Sequence, residues 1–324
     1  MTHPLVRPSA FRHWYFASAP AERLAALRVL VGGYALGWLA IRTPHLLRLL
    51  DHRPSRFDGV GVLAFLDAPV PDALGLIVLA AAVASGAAFV VGWRYGVTGP
   101  AFAVLLLLVT TYRNCWGDVL HTDNLLVLHV AVLGIVAAAD AWSIDRRRRD
   151  EPTPPPSSAY GWPVRLLCVV TVLTYVVAGW AKLRNSGVDW AFGEILRNHV
   201  ANDNLRKILL GDSHSPFGAW AVGQPWLFPP LAAVTLVVEL GAPVALLGRR
   251  WRTGWVAAAW LFHLGIAALM WITFPYPLSG VAFAPFFRVE RAVGRQASPA
   301  RKASTSARSL VRRMGGSARI RSHR

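Results

Sequence analysis

The sequence predicts an all-α, polytopic bundle of transmembrane helices with about eight spans (seven or eight). Three observations carry that prediction. Of 324 residues, 54% are hydrophobic and only 16% are charged, with a mean hydropathy of +0.40. A water-soluble domain of this length needs far more charge to cover its surface. Apolar runs recur along the chain, most of them long enough to cross about 30 Å of hydrocarbon. Finally, arginine clusters punctuate the runs as they would on loops that return to one side of a membrane.

Taken in order, residues 1–20 read as a basic cytoplasmic N-terminus containing Arg7 and Arg12. It is no cleavable signal, because the apolar run after it is long and further spans follow. Residues 21–290 form the transmembrane domain, with spans at about 24–41, 73–91, 96–111 and 122–139, the last opening "HTDNLLVLHVAVLG". Charge and proline in "DRRRRDEPTPPPSS" then mark a flexible linker at about 145–160. Spans follow at about 163–182, 229–247 and 254–272, and a shorter apolar piece at 277–287 is either a full crossing or re-entrant.

Residues 291–324 read as a disordered basic tail. From Arg288 to Arg324 there are eleven Lys and Arg against Glu290 alone, so this end supplies most of the net charge of +17. Ser, Ala and Gly separate the charges, which suits a cytoplasmic tail lying on anionic lipid and not a nucleic-acid binder. The two cysteines, Cys115 and Cys168, sit in or beside apolar runs and read as small core residues. No histidine pair has HExxH-type spacing, so no metal is expected.

Arginine placement sets the orientation. Arg146 to Arg149, and Arg249, Arg250 and Arg252, mark two loops as cytoplasmic, two crossings apart. Both termini then fall in the cytoplasm of a multi-pass plasma-membrane protein. The loop from Arg42 to Asp72 runs against this rule: it holds four arginines yet must lie outside.

Polar residues inside the apolar runs are the candidates for chemistry, since each must face a protein interior or a wet cavity. Lys182 stands near the outer end of the fifth span, in "VVAGWAKLRNSGVDW". It either snorkels to the headgroups or is held in a dry site where chemistry needs a neutral amine. Glu239 and His263 lie well inside the sixth and seventh spans. Thr171, Tyr175 and Lys182 fall on one helical stripe, and His121 and Asn124 share a face at i, i+3. Each also has a structural reading: His121 and His129 as hydrogen-bonding core residues, Glu239 as an interhelical hydrogen bond.

The blocks "HTDNLLVLHVAVL", "AGWAKLRNSGVDWAFGEILRNHV" and "ELGAPVALLGRRWR…AAWLFHLGIAALMWITFPYPL" together resemble the horizontally transferred transmembrane (HTTM) domain. This is the membrane domain of vitamin K-dependent gamma-glutamyl carboxylases, and it also occurs in many bacterial proteins. The resemblance spans roughly residues 20–290. It implies Lys182 as the base that deprotonates a reduced quinone, His121 as an aid to proton handling, and His263 as a positioning residue. Glu239, Tyr175, Asn124, Asp189 and Trp190 would support that centre. Implied reactants are a reduced vitamin K- or menaquinone-like quinone, O2 and CO2, with no metal. The implied partners are membrane lipids and a small secreted peptide carrying the glutamate to be carboxylated, with no nucleic acid. The alternative is a non-enzymatic membrane factor for maturation, export or binding of a small peptide or lipophilic ligand. Animal members show two adjacent lysines where this chain has Ala181-Lys182.

Overall fold

The structure is a computed structural model that describes residues 10–117 and 119–292. The first nine residues of the expected N-terminus, and residues 293–324, which hold almost all of the expected tail, lie outside the described residues. Among the described residues there is no strand, only an isolated antiparallel bridge between Ala19 and Ser157.

The helices in chain order are α1 (Ala10–Tyr15), α2 (Ala21–Arg48), α3 (Asp72–Val91), α4 (Tyr95–Asn114), α5 (Asn124–Gly134) and α6 (Ile144–Arg149). After them come α7 (Ser158–Ser186), α8 (Glu194–Leu209), α9 (Pro216–Val222), α10 (Phe228–Leu240), α11 (Arg249–Met270) and α12 (Pro275–Leu278). By length and composition, five helices among the described residues can cross a membrane: α2, α3, α4, α7 and α11. A sixth is counted if α9 and α10, which meet at a 101° bend, make one span.

The remaining expected spans are shorter helices, for local reasons. α5 stops at Gly134 after eleven residues, about 16 Å, roughly half the hydrocarbon thickness. Gly134 is where α4 and α5 touch: a Cβ there would lie 2.6 Å from the Gly99 carbonyl oxygen. The backbone beyond it turns irregularly, which is tolerated at depth only if its carbonyls find donors. Arg28, fully buried on α2, supplies them: Nη1 donates to Ala138 O at 2.8 Å and Nη2 to Trp142 O at 2.6 Å. α10 ends at Leu240 because Gly241 and Pro243 interrupt it, and it tightens into a 3₁₀ turn at Ala242–Leu246. Trp255 Nε1 donates to the Val238 carbonyl nearby, at 2.9 Å. The last apolar piece breaks into α12 and a 3₁₀ turn at Val281–Phe286, since Pro275, Pro277 and Pro285 deny it a continuous ladder.

The expected linker carries α6, whose Asp145 caps α4 by accepting from Arg94 N and Tyr95 N, both at 2.8 Å. Its far end is tied down where Ser157 and Ala19 exchange backbone hydrogen bonds of 3.0 and 3.1 Å. Three apolar cores result among the described residues, the smallest of them, Val200, Ala221 and Phe228, joining α8, α9 and the start of α10. The largest joins α2, α3, α4, α5 and the first half of α7. The second, around Tyr175, Trp255 and Phe283, joins the middle of α7 to α10 and α11.

Candidate functional site

α7 runs unbroken through "VVAGWAKLRNS" because no proline intervenes and the single glycine, Gly179, keeps helical geometry, until Gly187, whose φ of 59° closes the helix. Lys182 therefore projects from the last turns of a continuous helix. Gly179 lets α10 approach closely there: a Cβ at Gly179 would sit 2.9 Å from Glu239 Cβ. The approach brings Glu239 to Lys182. Lys182 Nζ donates to both carboxylate oxygens of Glu239, to Oε2 at 2.6 Å. The Glu239 side chain is 3% exposed and that of Lys182 is 21% exposed, so the lysine keeps a view of the opening.

Aromatic rings frame this pair. Nζ lies 5.3 Å from the centre of the Trp190 ring and 6.0 Å from that of Phe262, distances suited to cation–π attraction. Trp190 is itself held by Nε1 donating to Thr235 Oγ1 at 3.1 Å. One to two turns deeper, the Tyr175 hydroxyl and His263 Nε2 share a hydrogen bond of 2.7 Å. The other ring nitrogen of His263, Nδ1, is buried and has no hydrogen-bond partner among the described residues.

These groups converge on one cavity of about 190 Å³, lined by Lys182, Glu239, Tyr175, His263 and His121, with Thr174, Phe262 and Phe274 completing much of the wall. His121 comes from the segment before α5 and packs its ring 5.7 Å from Phe274, which in turn lies 5.0 Å from His263. Five of the eight candidate residues thus line the cavity, and Trp190 flanks it.

The other two do not reach it. Asn124 is exposed at the start of α5, and the i, i+3 relation to His121 does not apply because the helix begins only at Asn124. Asp189 is exposed in the 3₁₀ turn Gly187–Phe192. The polar stripe of α7 also divides. Thr171 bonds to His129 Nε2 at 3.0 Å, and His129 Nδ1 bonds to the Tyr276 hydroxyl at 2.7 Å. That fully buried chain fixes α12 beside the cavity, so Phe274 and Pro277 form a rigid wall. Sequence reasoning missed this wall; its signal was the aromatic and proline content of "WITFPYPL" after α11. Among the described residues, no group of three His, Cys, Asp or Glu is arranged to hold a metal ion.

An all-helical bundle with several membrane-length apolar helices and a polar cavity sunk among them defines an integral, multi-pass membrane protein. The chain belongs to the HTTM domain family, whose model matches residues 16–290. The likeness to the membrane domain of vitamin K-dependent carboxylases is consistent with that membership. No curated protein and no solved structure matches the chain.

Proposed function

We propose that this protein is a carboxylase-like membrane enzyme that uses a reduced quinone to carboxylate, or otherwise modify, a peptide substrate at the outer face of the plasma membrane. The observation that carries the reading is the convergence of Lys182, Glu239, Tyr175, His263 and His121 on a single cavity. The topology that goes with it has eight crossings and both termini in the cytoplasm, supported by the arginine-rich segments around Arg146 and Arg249.

The residues present suit a quinol head group. At about 190 Å³ the cavity is below the roughly 300 Å³ at which drug-sized ligand sites begin, so it suits a ring with its lipophilic tail left outside. Phe262 and Phe274 offer flat apolar contacts, and the unpartnered Nδ1 of His263 offers a hydrogen bond to a ring oxygen. When bound, the quinol and O2 would supply the strong base that removes a glutamate γ-proton before CO2 adds.

The chain's own groups would do the rest. Tyr175 holds the His263 ring in place through Nε2 and leaves Nδ1 to the ligand. With the proton of the pair resting on the Glu239 carboxyl, the Lys182 amine is free to take the hydroxyl proton onto Nζ, a step closed to an ammonium. Glu239 Oε2, 2.6 Å away, shares that proton and keeps the lysine aimed at the opening. His121, exposed at the rim beside Phe274, exchanges protons with the outer side.

Reduced menaquinone or vitamin K offered to purified protein should be converted to its epoxide, an assay that needs no knowledge of the peptide. Lys182→Arg should abolish epoxidation while the fold survives, because guanidinium remains protonated and still pairs with Glu239. Near wild-type turnover in that variant would remove the base and with it most of the case for an enzyme. One observation favours the second reading, a non-enzymatic factor for a small peptide or lipophilic ligand. The Lys182–Glu239 bond is what a purely structural ion pair would also form.

A further inference from the structure

The chain between α7 and α10 folds into a hairpin of α8 and α9 that seats on the C-terminal end of α11. A helix end leaves its last carbonyls without intrahelical donors. Here the hairpin supplies them. Ser215 Oγ donates to Ala268 O at 2.5 Å, Asn204 Nδ2 to Leu269 O at 3.0 Å, and Lys207 Nζ to Met270 O. Gly218 presses so closely that a Cβ there would lie 1.8 Å from Leu269 O. The hairpin is therefore fixed at the depth where a membrane-length helix ends, which is the boundary between hydrocarbon and water.

Its direction is equally defined. α9 meets the α10 segment at 101°, so with α10 running along the bundle α9 lies across it. The inward side of the hairpin is small or already partnered: Val200, Asn204, Gly218 and Ala221 are buried. The outward side is polar along much of α8, where Asn198, Asn202 and Arg206 are exposed, and becomes apolar toward the turn and along α9. Leu209 is 76% exposed and Trp220 54%, Leu210 and Phe217 are exposed beside them in sequence, and the Phe217 and Trp220 rings stack at 5.5 Å. Large exposed apolar side chains that include tryptophan, placed at a span's end on a helix lying across the bundle, match the composition and depth of an interfacial membrane element.

We propose that the α8–α9 hairpin is a membrane-surface anchor, with Leu209, Leu210, Phe217 and Trp220 inserted among lipid headgroups and the upper acyl chains. α9 does not cross, and the bent pair contributes one crossing that begins at α10. The hairpin also touches the residue that flanks the candidate cavity, since the His199 ring of α8 lies 5.8 Å from Trp190. None of this depends on the quinone reading.

The test uses single-cysteine variants of the full chain in lipid nanodiscs, labelled with an environment-sensitive fluorophore. Native Cys115 and Cys168 are buried and leave little background. Probes at Leu209→Cys, Phe217→Cys and Trp220→Cys are compared with Asp212→Cys, an exposed position in the turn between the helices. Lipid-attached nitroxide should quench the first three, and aqueous iodide should quench them severalfold less than it quenches the Asp212 probe. Iodide quenching equal to that at Asp212 would overturn the proposal, because the hairpin would then stand in water. Protection from both quenchers would overturn it too, by showing that protein and not lipid covers the face. Three probe positions keep the test decisive if one variant fails to fold.

Discussion

Replacing Lys182 with methionine conserves length and helix preference and, judged from sequence, should be structurally silent. The structure predicts otherwise, because the substitution strands Glu239, a carboxylate 3% exposed that receives both its hydrogen bonds from Nζ. Removing one partner of a buried ion pair costs about 3–5 kcal/mol. With the lysine side chain 21% exposed, water already screens part of the attraction, and we expect the lower figure, about 3 kcal/mol. Glu239→Leu alone should cost less, since the lysine it frees can turn toward the headgroups. The double variant Lys182→Met/Glu239→Leu removes both charges and should regain most of the loss. A double-mutant cycle on unfolding in mixed micelles, followed by tryptophan fluorescence, gives the coupling directly. An ordinary interhelical hydrogen bond in a membrane contributes about 0.6 kcal/mol, so a coupling above about 2 kcal/mol identifies a charge pair. If Lys182→Met is as stable as wild type and the coupling is near zero, the pair is not maintained and Lys182 is a snorkelling residue, whereas about 0.6 kcal/mol would mark a neutral hydrogen bond in place of a charge pair.

Other expectations rest on single features. Gly99→Ala should destabilise by about 1–3 kcal/mol, because its Cβ would fall 2.4 Å from Gly134 O at the α4–α5 contact. Gly33→Ala on α2, with nothing within 4 Å, should be neutral or slightly stabilising in the same unfolding assay. At Glu290, burial pushes the carboxyl up, but hydrogen bonds and charge from Arg23 outweigh it and hold the group below its usual range. A depressed carboxyl contributes stability above its unfolded value, about pH 4.3, and loses it as pH falls through the folded value. Glu290→Gln should therefore flatten the acid side of a stability–pH curve and change little of its slope above neutrality. For topology, a cysteine at Arg147 should be labelled only from the cytoplasm and one at Asn202 only from outside; the reverse pattern would invert the bundle.

Much of the cavity was legible because charge is expensive in an apolar run. Lys182, Glu239 and His263 had to find partners, and α-helical spacing placed Tyr175 on the right face of α7. Reading the rest required tertiary facts. Asn124 was misjudged because periodicity was extended to a histidine that precedes the helix. Thr171 lies on the same stripe as Tyr175, but His129 claims it from α5. Span lengths were overread where apolar composition continued past a break. Val136 and Ala137 are as lipophilic as a helix requires, yet Gly134 sits against Gly99 and the turns beyond it find donors in Arg28. The α8–α9 hairpin was invisible for the opposite reason, since its apolar residues are spread through a polar stretch with no run long enough to register.

The Arg28 contacts also bear on how the protein is made. Arg28 stands seven residues into the first long helix, while the carbonyls it binds, at Ala138 and Trp142, are 110 and 114 residues downstream. At about 5–20 residues per second, synthesis leaves that guanidinium without its acceptors for roughly 5–25 s. An arginine at the centre of a span costs about 2.5–3.5 kcal/mol at insertion, less near an end. α2 thus enters the bilayer with a buried charge that is satisfied only when the turns following α5 arrive. Integration of α2 should accordingly be incomplete in ribosome-bound chains ending near residue 120 and complete in those extending well past 142. The order of membrane integration would then follow this one contact and not the order of translation.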